Sequence, residues 1–126
     1  MVDPSRTDGN EMKIFLVALS TIVGAAEEPS ELQMRSAFSQ ALTLQVQNVL
    51  EFVNETEGPE AVTRLRDVGH DRFSVNAFQK LNCRPEERGY LCDFEVDIGL
   101  VNGRLQRTIT GRFVDGPDGL IFIQEA

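Results

Sequence analysis

A chain of 126 residues with 41% hydrophobic content can build the core of one folded domain, and it is too apolar for wholesale disorder. Its formal net charge of −8 repels phosphate backbones and anionic bilayers, which sets nucleic-acid binding and electrostatic membrane docking aside.

The first readable element is an export signal. Met12 and Lys13 precede the apolar run Ile14-Phe15-Leu16-Val17-Ala18-Leu19, which continues through Val23 to Gly24-Ala25-Ala26. A basic start, an apolar stretch too short for a comfortable membrane span and a small-residue cleavage site define a secretory signal peptide. Val23 and Ala25 fit cleavage after Ala25, and Gly24 and Ala26 fit cleavage after Ala26. Residues 1–11 carry Asp3, Asp8 and Glu11. They do not resemble an n-region, so Met12 is read as the true start. The expected division is leader and signal peptide over 1–26 and one mature α+β domain over 27–126, periplasmic or secreted, with no stable membrane anchor after cleavage. Removing 1–26 leaves 17 acids (20 − 3) and 10 bases (12 − 2), so the mature domain stays acidic.

Ser30 to Gln33 reads S-x-x-Q, a capping-box start. Met34, Phe38, Ala41, Leu42, Val46, Val49, Leu50 and Val53 then recur at spacings of three and four, which predicts one long amphipathic helix over about 31–54. Pro59 opens a short second helix with Val62, Leu65 and Val68 inward and Gly69 as its stop. From Asp71 the period changes to two. Strands are predicted over about 72–83, 89–101, 104–114 and 120–125, separated by turns that contain Gly89, Asn102-Gly103 and Gly116–Gly119. The order is that of a two-layer α+β domain, helices on one face of a four-stranded antiparallel meander.

Two cysteines in an exported chain pair. Cys83 and Cys92 flank a turn marked by Pro85 and Gly89, so the bridge is expected to clamp the first hairpin. With Asn102-Gly103 as a two-residue loop, Val96 is expected opposite Ile109, Phe94 opposite Gly111 and Cys92 opposite Phe113, all toward the helix. On the other face Asp93 is expected to meet Arg112. The first strand alternates less cleanly, because Phe78 breaks the parity of Phe73, Val75, Ala77 and Leu81; a bulge near Phe78 resolves this. Leu91, Val114, Ile121 and Ile123 then fall together on the outer face as one exposed apolar patch. Such a patch suits a protein partner or a homodimer.

Phe78-Gln79-Lys80-Leu81-Asn82-Cys83, Gly89-Tyr90-Leu91-Cys92-Asp93-Phe94 and Gly111-Arg112-Phe113 resemble an F-x-K-x-x-C … G-Y-x-C-D-F … G-R-F pattern of small bacterial periplasmic or secreted proteins. The element order is similar to the cystatin-like fold. The resemblance implies a helix wrapped by a four-stranded antiparallel sheet; its motifs are structural and carry no chemistry.

The residues bear on three functions. An enzyme of a related two-layer fold needs a base, and the candidates are His70 in a loop, Tyr90, and the alternating Asp93, Glu95 and Asp97, which read as a solvated face. A cystatin-like protease inhibitor needs a reactive first hairpin loop, but here that loop holds Pro85-Glu86-Glu87-Arg88, and the nearest inhibitor-like text, Gln45-Val46-Gln47-Asn48-Val49, falls inside the long helix. The third reading is a non-catalytic exported binding or protein-interaction module. No catalytic residue, metal site or cofactor is expected.

Overall fold

The computed structural model describes residues 27–125, so the predicted leader, its cleavage site and residue 126 lie outside the described residues. Helix α1 spans Glu31–Glu57 and α2 spans Pro59–Asp67; strands β1 (Ser74–Pro85), β2 (Tyr90–Leu100), β3 (Gly103–Gly116) and β4 (Gly119–Gln124) form one antiparallel sheet in the order β1-β2-β3-β4. The α+β class and the meander are as expected.

Helix α1 begins on the capping box. Gln33 N–H donates to Ser30 Oγ at 3.1 Å and Ser30 N–H donates to Gln33 Oε1 at 2.9 Å, satisfying two otherwise orphaned donors. Its first turns bury Met34, Ala37 and Phe38, and the Met and Phe side chains are each worth about 1.5–3 kcal/mol of burial. Beyond Phe38 no residue of α1 is fully buried. Gly58, at φ 91°, breaks the helix and turns the chain into α2. In α2, Ala61 is buried, Val62 and Leu65 are half-buried, and Val68, expected inward, is exposed at the C-cap.

Five phenylalanines form the centre of the core. Phe94 stacks on Phe78 at 4.8 Å between ring centroids and meets Phe38, Phe113 and Phe122 edge-on at 5.3, 5.8 and 5.8 Å. Such arrangements align ring edges with ring faces. Phe38 also meets Phe122 at 5.4 Å, and α1 touches both edge strands, β1 and β4. The sheet therefore curls around the helix.

The β1–β2 register contains two irregularities, at Asn76 and Leu81, one on either side of Phe78, where a single bulge near Phe78 is expected. Each bulge inverts the alternation. Val75, Phe78 and Cys83 thereby stand opposite the inward-facing Ile98, Val96 and Cys92, while Ala77, Gln79 and Leu81 are exposed. Cys83 and Cys92 are paired across the strands with Cα atoms 4.1 Å apart and are joined by a disulfide.

The β2–β3 register departs from expectation. Leu100 pairs with Gly103, so the loop residues are Val101 and Asn102, and Phe94 opposes Ile109 while Cys92 opposes Gly111. Sliding the turn by one residue moves the pairing by two and preserves the faces. The observed register gains the apolar pairs Ile98–Leu105 and Phe94–Ile109. Because Leu100–Gly103 and Gly116–Gly119 each close a two-residue loop, both must be mutually hydrogen-bonded pairs. Counting from either end, odd-numbered residues of β3 aim their backbone groups at β2 and even-numbered ones aim theirs at β4.

Candidate functional site

A groove opens beside α1. It has a volume of about 480 Å³ and runs between the second half of α1 and the β2–β3 end of the sheet. Leu42, Val46, Val49 and Leu50 come from the helix, Leu65 from α2, Phe73 from the approach to β1, and Ile98, Leu100 and Leu105 from the sheet; Gln45 and His70 supply the polar atoms of the lining. Val49 and Leu100 are 52% and 44% exposed, so the groove is open along its length. The helical periodicity that brings these residues to one side is the one read from the sequence. Leu42 still packs against the core, but beyond Phe38 these helix residues are at most half-buried. A volume of this order lies within the roughly 300–1,000 Å³ of small-ligand sites, which are mostly apolar with a few polar groups.

The outer face is polar along β2. Arg104 holds Asp97 in an ion pair, and Gln106 donates to the same carboxylate at 3.4 Å. The Arg104 hydrogen bond keeps the Asp97 carboxyl below its ordinary range. Thr110 donates to Asp93 at 2.5 Å, and Arg84 lies 3.8 Å from it. The expected Asp93–Arg112 pair is absent because of the two-residue register shift. Arg112 instead lies 3.8 Å from Glu86 and 3.4 Å from Glu125, and it donates to the Arg88 carbonyl at 3.1 Å.

That last set of contacts revises the predicted apolar patch. Arg112 holds the β1–β2 loop over the outer face, where Glu86 N–H donates to Gly89 O at 3.0 Å. The Gly89 backbone then lies against Val114: a methyl group on Gly89 would come within 2.8 Å of Val114 Cγ1. Val114 is consequently buried and Leu91 half-buried. Ile121 pairs with Val114 as expected, and it and Ile123 remain partly exposed, at 44% and 39%. Four exposed apolar side chains reduce to two on β4 and a half-covered Leu91.

His70 is exposed at the groove, Glu95 is exposed on the outer face, and the Gln45-Val46-Gln47-Asn48-Val49 stretch lies within α1. Among the described residues no group of three His, Cys, Asp or Glu side chains stands together as a metal site would require, and no helix is long and apolar enough to cross a membrane. Compared with protein-family models, curated proteins and solved structures, the chain matches none.

Proposed function

We propose that this is a non-catalytic exported binding module and that the groove between α1 and the β2–β3 end of the sheet is its ligand surface. The observation that carries the reading is the composition of the groove: an open cleft of about 480 Å³ whose lining is apolar apart from Gln45 and His70. Such a surface binds by burying apolar groups, at roughly 25 cal/mol per Å² removed from water. Export is supported by the disulfide, since paired thiols persist in oxidising compartments. The helix inside a curled four-stranded sheet supports a cystatin-like assignment of the fold.

The test is titration with the apolar fluorophore Nile red. The expected outcome is saturable binding to the disulfide-bonded chain, weakened several-fold by Val49→Gln combined with Leu100→Gln, two exposed positions whose replacement leaves the phenylalanine core intact. Absence of saturable binding, or equal binding by the variant, overturns the assignment of the groove.

A further inference from the structure

The two edges of the sheet are treated differently. β1 is an edge strand along its whole length, and it is guarded. It carries two bulges; Arg35 Nη2 donates to the Val75 carbonyl at 2.6 Å, and the Lys80 N–H donates to Glu31 Oε1 at 2.8 Å. Bulges and side-chain caps are the usual means of preventing a strand edge from pairing with another chain.

β3 has no such protection over its first half. β4 pairs only with Gly111–Gly116, so from Gly103 to Thr110 the side of β3 away from β2 has no strand beside it. By the alternation established above, the N–H and C=O groups of Arg104, Gln106 and Thr108 point out of this open side, and among the described residues nothing is bonded to them. This stretch lies beside the groove, since Leu105 belongs to both.

We propose that this open half of β3 takes an extended peptide as a fifth strand, and that the peptide places an acidic side chain between two apolar ones on its groove-facing side. The proposal rests on the groove reading and adds the class of ligand. The backbone supplies the first element of recognition, because unpaired ladder groups of a strand are matched by another strand. The side chains supply the second. Leu105, Arg107 and Ile109 alternate on the helix-facing side; Leu105 and Ile109 are half-buried and Arg107 is exposed. Arg104 is held by Asp97, whereas Arg107 has no ion pair among the described residues. A cross-strand partner for apolar–cation–apolar is apolar–anion–apolar. The same charges disfavour a second copy of this edge: Gly103–Thr110 contains two arginines and no acid, so pairing it with itself would bring like charges together.

The probe is the peptide Ser-Val-Thr-Glu-Thr-Val-Ser, titrated into the ¹⁵N-labelled, disulfide-bonded chain and followed by amide shifts. The expected result is saturable movement of the Gln106 and Thr108 amides. Thr108→Pro removes an outward N–H while leaving the β2 ladder complete, and should weaken binding about fivefold to tenfold, the worth of one ladder hydrogen bond; Thr108→Ala, which keeps the N–H, should bind more tightly than Thr108→Pro. Arg107→Glu should lose the peptide and recover binding when lysine replaces its glutamate. Retained binding by Thr108→Pro, or no rescue by the lysine peptide, overturns the proposal. So does a homodimer in sedimentation that Thr108→Pro converts to monomer, which would give the edge to a second copy. If Nile red fills the groove but the peptide moves no amide, strand addition falls and the groove reading stands; if neither binds, both fall.

Discussion

A methyl group at Gly111 would lie 2.1 Å from Cε1 of Phe122, well inside van der Waals contact. The ring cannot step aside cheaply, because Phe38, Phe94 and Phe113 already surround it at 5.1–5.8 Å between centroids. Gly111→Ala is therefore expected to destabilise the domain by about 1–3 kcal/mol through overpacking, read as a lower urea midpoint at unchanged slope. Strand alternation sets Gly111 on the helix-facing side, but it does not say which side chain fills the space the glycine leaves. That depends on β4, whose pairing of Gly111 with Gln124 brings Phe122 alongside. Val114 teaches the converse. Strand alternation placed it on the outer face correctly, yet its burial comes from a loop folding back, and period-two patterning has no term for a loop.

At the scale of the elements, the first hairpin depends on its covalent bridge. Cys83 and Cys92 are nine residues apart in sequence, and closing a loop of that size is worth about 2.5–3 kcal/mol in the chain-entropy model. Replacing both cysteines by serine should lower stability by this amount or somewhat more, since Cys92 is fully buried and its hydroxyl replacement would need a hydrogen bond; chemical denaturation measures it. The bridge, the helices and the four strands were legible in the sequence to within a few residues, because each has a local signature: a capping box, a proline start, a glycine stop, a change of period. The β2–β3 register was not, because Asn102-Gly103 and Val101-Asn102 are neighbouring ways to close the same hairpin, and the choice is made by long-range pairs such as Ile98–Leu105. The two bulges of β1 were foreshadowed by the broken parity at Phe78, but their positions were not.

For the whole molecule, the proposed export makes a direct prediction: mass spectrometry of the chain recovered from outside the cytoplasm should find an N-terminus at Ala26 or Glu27 and oxidised cysteines, and an intact Met1 or Met12 would refute cleavage. The groove was half legible. Helical periodicity named Val46, Val49 and Leu50 as one face, but whether a face is covered is decided by how far the sheet extends beneath it. The sheet's simple order has a further consequence, for the time course of assembly. Every strand lies beside its neighbour in sequence, so the chain can zip the sheet together through short loops, each with a small closure cost. Contacts between α1 and β4, such as Phe38 against Phe122, bridge most of the described chain. Docking of the helix against the last strand thus carries most of the non-local entropy, and such distant contacts weigh most on a domain's folding rate.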